Sequence, residues 1–179
     1  MSAITKTGYA ILGMLSIHPM SGYDMRQLMQ KSTQNFWSES DGQLYPNLAK
    51  LTQQKLITCK IAKQNNVRDK KTYSITAIGK KALKHWLEQE AETSLVRNEF
   101  MLKLFFGANV AAEIIREHIQ AHRYQTKAKL TQLAETKKNL TDKHAKSPHF
   151  PYWQMTLQYG IRIAEAKLVW CDDVMQLLK

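Results

Sequence analysis

The chain has 179 residues with 26 basic and 15 acidic side chains, a formal net charge of +11 and a sequence pI near 9.7. This length suits one compact domain or two small ones, and the cationic balance favours a polyanionic partner such as nucleic acid or anionic lipid. Two widely separated cysteines exclude a disulfide framework, and no apolar run reaches membrane-spanning length, so we expect a cytoplasmic protein without a membrane partner.

Two short helices are predicted at the N-terminus. Residues 4–17 carry a broad apolar face, and Pro19 prevents this helix from continuing. Ser21 can cap a second helix over about 22–31, and Asp24 then lies beside the positive end of the helix dipole. Two short helices before a third are typical of a helix-turn-helix.

A third helix is predicted from Ser40 to Lys55, and it is the candidate recognition helix. Ser40 can be its N-cap, and Gln43 completes the pattern of a capping box. Helical spacing predicts one buried apolar face: Leu44, Leu48 and Leu51. It predicts an open polar face opposite: Gln43, Asn47, Lys50 and Gln54. Such side chains reach phosphates and base edges, although an ordinary amphipathic surface helix has the same pattern.

A β-hairpin is predicted after the third helix. Ile57, Cys59 and Ile61 alternate with polar residues, 72–75 alternate again, and 64–66 carry a turn signal. The hairpin would carry four basic residues: Lys63, Arg68, Lys70 and Lys71. Its two interpretations are a DNA-binding wing and a solvated surface hairpin. We expect Tyr73 to lie in the wing core, with a DNA contact as the alternative.

These elements predict a mainly α chain with an N-terminal α+β winged helix-turn-helix, residues 1–92, and a C-terminal helical dimerisation domain, residues 93–179. Thr76 can cap a helix at the end of the first domain. We expect four apolar positions of that helix to lie along the domain: Ile78, Leu83, Trp86 and Leu87. The boundary near Thr93-Ser94 has no Pro- or Gly-rich linker, which favours a helical connection.

The C-terminal half is predicted to be helical throughout. Residues 109–144 contain no Gly or Pro, and one row of residues seven apart can be buried along this long helix: Ile119, Thr126, Leu133 and Leu140. The last helix, 152–178, has two apolar stripes and therefore needs two partners. One stripe is the candidate homodimer interface: Tyr152, Met155, Tyr159, Ile163, Trp170 and Val174. An intrachain bundle without a dimer is the alternative.

Residues 8–87 contain four motifs in order: AILGMLS, Ser21-Gly22-Tyr23, GQLYPNLAKLTQQKLI and KKTYSITAIGKKAL. Together these motifs resemble the PadR family of bacterial transcriptional regulators. The family usually has Gly before the Leu that begins the wing, and this chain has Lys55 there. By length and helical pattern, the C-terminal half is similar to the longer branch related to virulence-gene activators. The resemblance implies a dimeric winged-helix regulator that binds double-stranded DNA at a palindromic promoter site.

Residue roles follow from that resemblance. It implies that Ser21 and Tyr23 approach phosphates; the alternatives are that Ser21 is only a cap and that Tyr23 and Tyr45 are partly buried. Side chains on the third helix would enter or border the major groove: Ser40, Gln43, Tyr45, Asn47 and Lys50. Arg68, Lys70 and Lys71 would contact phosphates or the minor groove from the wing. Some members of the family are repressors released from DNA by phenolic acids or other small apolar ligands, and others are activators without a known ligand; the resemblance does not imply which applies here.

An effector pocket and an enzyme site are the remaining alternatives. Four aromatic residues could line an apolar pocket for a small aromatic effector, or could form domain core and dimer interface: Trp86, Phe100, Phe105 and Trp153. His118 and His122 have a metal-binding spacing but lack an evident third ligand, and no nucleophile–base set is present. We therefore expect no cofactor, no metal and no catalysis, with a winged-helix protein-interaction module as the rival function.

Overall fold

The computed structural model describes residues 3–64, 67–92 and 97–178, with the backbone alone described at 41, 63–64 and 67–70. The chain divides into two compact units, Met1–Thr93 (unit 1) and Ser94–Lys179 (unit 2). The predicted turn at Asn65-Asn66 and the predicted helical connection at Thr93-Ser94 lie outside the described residues.

Unit 1 combines helices with a small antiparallel sheet. Its elements in chain order are α1 Lys6–Ile17, β1 Met20–Ser21, α2 Gly22–Ser32, α3 Asp41–Gln53, β2 Ile57–Gln64, β3 Val67–Ile75 and α4 Ala77–Leu87. The strands lie in the order β1–β3–β2, and β2 and β3 form the predicted hairpin. This arrangement confirms the winged helix-turn-helix fold.

Three helices of unit 1 begin at a capping hydroxyl. The side-chain oxygens of Thr5, Ser21 and Thr76 accept hydrogen bonds from backbone N–H groups at the starts of α1, α2 and α4, over 3.0, 3.1 and 3.1 Å. Each hydroxyl satisfies one N–H that a helix start would otherwise leave unpaired. The predicted caps at Ser21 and Thr76 are confirmed.

One apolar core holds unit 1 together. The nine most deeply buried members come from α1, α2, α3, β2 and the turn before β2: Ile11, Leu12, Leu15, Met25, Leu44, Leu48, Leu51, Leu56 and Ile57. Each fully buried Leu or Ile contributes about 1.5–3 kcal/mol by leaving water. This core holds the apolar face of α3.

Four apolar positions predicted to pack in unit 1 are exposed instead. Ile61 is 57% exposed because the hairpin extends beyond the core, although Ile57 on the same strand face is buried. Ile78, Trp86 and Leu87 of α4 are also exposed, and Leu83 alone of its predicted apolar face is buried. The two-residue strand β1, whose Met20 pairs with Tyr73, is an element that the sequence did not predict.

The junction between α3 and β2 uses a left-handed residue. Lys55 has φ 60°, and its N–H donates to the Thr52 carbonyl over 3.0 Å. The N–H of Leu56 donates to the Leu51 carbonyl, also over 3.0 Å, which completes a Schellman motif. Lys55 therefore adopts a backbone conformation that favours Gly, so the turn into the wing forms despite the lysine side chain.

Pro46 lies inside α3. The helix begins at Asp41, so Pro46 is its sixth residue and not part of the first turn. Its missing N–H leaves the carbonyl of Gly42 without its donor from within the helix. Both residues are exposed, so a donor from outside the helix can reach that carbonyl.

Unit 2 is helical. Its α-helices are α5 Glu99–Phe105, α6 Ala112–His144 and α7 Phe150–Leu177, and a 3₁₀ turn covers Gly107–Asn109. The predicted long helix and the break near Pro148 are confirmed. No helix in the described part of the chain is both long and apolar enough to cross a membrane.

A narrow apolar seam joins α6 to α7. On α6, Ile119, Thr126 and Leu133 are buried and Leu140 is half-buried, as their seven-residue spacing predicted. From α7 the seam receives Leu157, Ala164 and Cys171, which belong to the inner of its two stripes. The hydrogen bond from Arg123 Nε to Asp172 Oδ1, at 2.6 Å, crosses the same pair of helices.

The outer stripe of α7 is uncovered in the first half of the helix. Tyr152, Met155, Tyr159 and Ile163 are 66%, 66%, 58% and 42% exposed. Further along, Trp170 and Val174 are half-buried because they pack into the small core of unit 2. The two ends of the predicted dimer stripe therefore differ in environment.

Candidate nucleic-acid interface

Helix α3 has a buried leucine face and exposes polar and aromatic side chains on its other sides. Leu44, Leu48 and Leu51 are each at most 2% exposed, so the predicted buried face is confirmed. Gln43 and Tyr45 are exposed on its other sides. The leucines hold the helix against the core while these side chains point to solvent.

The sequence predicted that Asn47 and Lys50 lie on an open polar face of α3, but neither does. Both are half-buried, and both bond to the segment that leads into α1. The Thr5 hydroxyl donates to Asn47 Oδ1 over 2.6 Å, and Lys50 Nζ donates to the Ala3 carbonyl over 3.2 Å. Helical spacing places these residues correctly at the edge of α3, but it cannot reveal a neighbour more than 40 residues away in sequence.

Ser40 is the N-cap of α3 without the predicted capping box. Within the described residues its hydroxyl makes no capping hydrogen bond. The backbone N–H groups of Gln43 and Leu44 donate instead to the Ser40 carbonyl, over 3.0 and 3.1 Å. The capping-box prediction is therefore wrong, and the exposed Ser40 side chain is not needed to begin the helix.

The start of α2 packs directly on α3. A Cβ added at Gly22 would lie 3.0 Å from Tyr45 Cε1 and 3.3 Å from Leu48 Cδ1, so the absent side chain allows the two helices to approach. The neighbouring Tyr23 is 62% exposed. Tyr23 and Tyr45 are therefore exposed beside this contact between the two helices of the helix-turn-helix.

The Ser21 hydroxyl is already engaged at the start of α2. It accepts from the backbone N–H of Asp24 and donates to Asp24 Oδ2 over 2.8 Å. The carboxylate of Asp24 also lies in the first turn, where it complements the positive end of the helix. The start of α2 is therefore a poorer phosphate site than an uncapped helix start, because one N–H is occupied and a carboxylate is already present.

The hairpin has an exposed basic outer part and an apolar base. Lys60 and Lys71 are exposed, and the backbones of Arg68 and Lys70 lie in β3, where Lys70 pairs with Ala62. Tyr73 is half-buried against the core, as predicted, and burial followed by the neighbouring Cys59 raises the pKa of its hydroxyl. The base of the hairpin belongs to the core, whereas Lys60 and Lys71 face solvent.

The four candidate pocket aromatics have separate surroundings. Trp86 stacks on Tyr9 in unit 1, with ring centroids 4.7 Å apart. In unit 2, Phe105 is 81% exposed and contacts Phe106 edge to face. Phe100 packs against Trp170, whereas Trp153 lies between His144 and His149.

Phe100 and Trp153 cannot line one cavity within unit 2. Trp153 and Trp170 are 17 residues apart on α7, which at 1.5 Å per residue places them roughly 25 Å apart. Phe100 lies at the Trp170 end.

Phe100 also stacks on His122, where burial, followed by the charge of Lys167, lowers the pKa of the imidazole. His122 is thus part of an aromatic cluster, while His118 is exposed.

A small cavity between α2 and α3 was not predicted from the sequence. Its volume is about 110 Å³, and its polar and aromatic lining includes Arg26, Gln30, Trp37 and Glu39. Trp37 Nε1 donates to Glu39 Oε1 over 2.6 Å and fixes one wall. The volume is below the roughly 300 Å³ at which small-molecule sites begin. A cavity enclosed by two helices and a linker leaves no periodic signal in sequence.

Two family models match most of the chain. The model described as "Transcriptional regulator PadR-like family" matches residues 11–85, and the model described as "Virulence activator alpha C-term" matches residues 96–179. The first match spans α2, α3 and the hairpin, and the second spans all of the described helices of unit 2.

The chain is also similar to known proteins along nearly its whole length. It is 28% identical to the negative transcriptional regulator PadR of Bacillus subtilis, over 95% of this chain and 96% of the relative. The crystal structure of B. subtilis PadR in complex with operator DNA matches with a TM-score of 0.83 and 29% identity, covering 96% of this chain and 98% of that chain. The complex of the same protein with p-coumaric acid matches with a TM-score of 0.75 and 29% identity, covering 96% and 97%.

Proposed function

Because the chain belongs to the PadR-like family of transcriptional regulators and carries a virulence activator alpha C-terminal domain, we propose that it binds a palindromic promoter site as a homodimer. The observation that carries this proposal is the surface of α3, on which Gln43 and Tyr45 are exposed over three buried leucines. The DNA complex of the B. subtilis relative supports the same use of the fold. In this proposal α3 enters the major groove and the hairpin acts as the wing.

The proposed contacts divide by chemistry. Gln43 and Tyr45 face base edges, and Lys50 reaches phosphates with the N–H groups that the Ala3 carbonyl does not occupy. Tyr23 and Ser40 offer exposed hydroxyls to the backbone, and Ser21 acts mainly through the cap that fixes Tyr23. Arg68, Lys70 and Lys71 contact phosphates or the minor groove from the wing.

The proposed dimer uses the outer stripe of α7. Exposed apolar side chains from Tyr152 to Ile163 cover about 16 Å of helix at 1.5 Å per residue. An apolar face of this length is unusual on a solvent-exposed helix, and two copies can cover each other by two-fold symmetry. Two-fold symmetry would present two α3 helices to the two halves of a palindrome.

The wing contacts are tested by removing two charges. Lys70→Ala with Lys71→Ala is expected to reduce the slope of log affinity against log salt by about 1.8, because each lost phosphate contact contributes about 0.9. At 0.15 M salt this corresponds to roughly 30-fold weaker binding to all DNA sequences. Fluorescence anisotropy with the protein's own promoter DNA at several salt concentrations measures both quantities.

A second lysine pair supplies the matched control. Lys137 and Lys138 are adjacent and exposed on α6, so Lys137→Ala with Lys138→Ala removes the same charge from a helix of unit 2. This control is expected to keep the wild-type slope. An equal change in both variants would contradict wing contacts. If the wild-type protein bound no DNA in a salt-sensitive manner, the chain would instead fit the protein-interaction module.

We also propose a small aromatic acid as an effector that releases the protein from DNA. The p-coumaric acid complex of the B. subtilis relative supports this ligand class. Titration with p-coumaric acid is expected to give a saturable change in tryptophan fluorescence and to lower affinity for promoter DNA. Trp→Phe variants at 37, 86, 153 and 170 identify the responding ring, which we expect to be Trp86 or Trp153. A linear, unsaturated response in the wild type would reject this effector class.

A further inference from the structure

The N-terminal segment of the chain is hydrogen-bonded to one edge of α3. The Thr5 hydroxyl accepts from the Gly8 N–H over 3.0 Å as the cap of α1, and it donates to Asn47 Oδ1 over 2.6 Å. One turn further along α3, Lys50 Nζ donates to the Ala3 carbonyl. Two contacts therefore join the start of α1 to the helix that we propose to read DNA.

Both polar groups of the Asn47 side chain are used inside the protein. Its Oδ1 accepts from Thr5, and its Nδ2 donates to the Gln43 carbonyl over 2.8 Å. An asparagine that reads adenine needs its oxygen and its amide nitrogen together for the two bonds to the base. Asn47 could read adenine only through its second N–H and the second lone pair of Oδ1, in the orientation that the two internal bonds fix.

The orientation of this amide is fixed by its neighbours. The Gln43 carbonyl can only accept, so it requires the Nδ2 side of Asn47. Oδ1 of Asn47 therefore faces Thr5, and because an amide oxygen can only accept, the Thr5 hydroxyl donates this bond while it accepts from Gly8. The contacts form one directed chain from the first turn of α1 to the backbone of α3.

We propose that Thr5 and Asn47 are positioning residues for DNA readout, and that Asn47 contacts no base. Their hydrogen bond sets the rotation and depth of α3 relative to α1, so that Gln43 and Tyr45 meet the groove in register. This inference rests on the proposed function. It differs from the role that the PadR resemblance implies for Asn47, because it assigns Asn47 to the edge of the interface and adds Thr5, which lies outside the recognition helix.

The two roles predict different patterns of loss. A lost base contact removes discrimination at one base pair and leaves the others intact. A displaced helix weakens every contact that the helix makes, so the loss is spread over the whole half-site. The loss also follows the hydrogen bond itself, and therefore appears when either partner is changed.

A double-mutant cycle with a base-pair scan tests the proposal. Thr5→Val, Asn47→Ala and the double variant are assayed against operator DNA, each single base-pair change in a half-site, and nonspecific DNA. Each single variant is expected to bind operator roughly 3- to 10-fold more weakly, the range for one hydrogen bond. The double variant is expected to bind no more weakly than Thr5→Val alone, and Thr5→Ser is expected to restore binding.

The double-mutant cycle also corrects for the effect of Thr5→Val on the cap of α1. Thr5→Val weakens the cap of α1, but this cost is present in the single and the double variant and cancels in the coupling. Strictly additive losses would overturn the positioning role. So would loss of discrimination at a single base pair in Asn47→Ala that Thr5→Val does not share. A wild-type protein that binds no DNA would overturn the proposed function itself, and with it the role inferred here.

Discussion

Gly79→Ala is expected to lower the stability of unit 1 by about 2–4 kcal/mol, a large part of the 5–15 kcal/mol that typical domains possess. A Cβ at this position would lie 2.1 Å from the carbonyl oxygen of Leu56 and 2.9 Å from Ile75 Cγ1. The first distance is far below any van der Waals contact, so backbone must move.

The Leu56 carbonyl cannot move without loss. It accepts the backbone N–H of Thr76 over 3.0 Å, and the Thr76 hydroxyl lies at the same distance. These contacts attach the start of α4 to the turn at which Lys55 leads α3 into the wing. A shift at Gly79 would therefore also disturb the end of α3.

Gly13→Ala is the matched control for this prediction. Gly13 lies inside α1, and a Cβ added there would meet nothing within 4 Å. Alanine is favoured over glycine by about 1 kcal/mol in a helix interior, so this variant is expected to be neutral or slightly stabilising. Urea denaturation followed by circular dichroism compares the two. A Gly79→Ala variant as stable as wild type would contradict the close approach.

Features governed by local sequence were the ones that could be predicted. The leucine row of α3 and the seven-residue row of α6 follow from helical periodicity, since each helix buries the side that carries its apolar residues. The Ser21 and Thr76 caps involve partners three residues away. The basic wing follows from strand alternation and charge, and these signals were sufficient for the fold.

The features that were missed depend on distant partners. Asn47 fits a polar outer face until Thr5, 42 residues earlier, is brought beside it. The strand β1 has only two residues and exists because Tyr73 lies opposite Met20. The capping box at Ser40 failed for a different reason, since a matching residue pattern permits such a bond without requiring it.

Tyr159→Glu is expected to dissociate the proposed dimer and thereby to weaken operator binding strongly. Tyr159 lies near the middle of the exposed apolar stripe of α7, so the substitution would bury a carboxylate from each protomer in an apolar interface. An unpaired buried charge costs about 3–5 kcal/mol, which corresponds to a dimer dissociation constant raised by a factor of more than roughly 100.

Loss of the dimer would weaken operator binding, because the two half-site contacts would no longer be held in one molecule. Two half-site contacts held in one molecule bind about 10²- to 10⁴-fold more tightly than either alone, and this advantage disappears in the monomer. Binding to nonspecific DNA should change much less per protomer, because the phosphate contacts proposed for Lys71 and its neighbours would remain. The ratio of specific to nonspecific affinity is therefore the informative quantity.

An equivalent substitution on α6 separates the interface from a general effect of charge. Tyr124 is 76% exposed and is not part of either α7 stripe, so Tyr124→Glu makes the same chemical change on another helix. Sedimentation velocity over a range of concentrations, with anisotropy on operator DNA, is expected to show a dimer for Tyr124→Glu and a monomer for Tyr159→Glu. If Tyr159→Glu remained dimeric and bound operator like wild type, the second copy would have to dock elsewhere, and the exposed face from Tyr152 to Ile163 would not be the surface that pairs the two recognition helices.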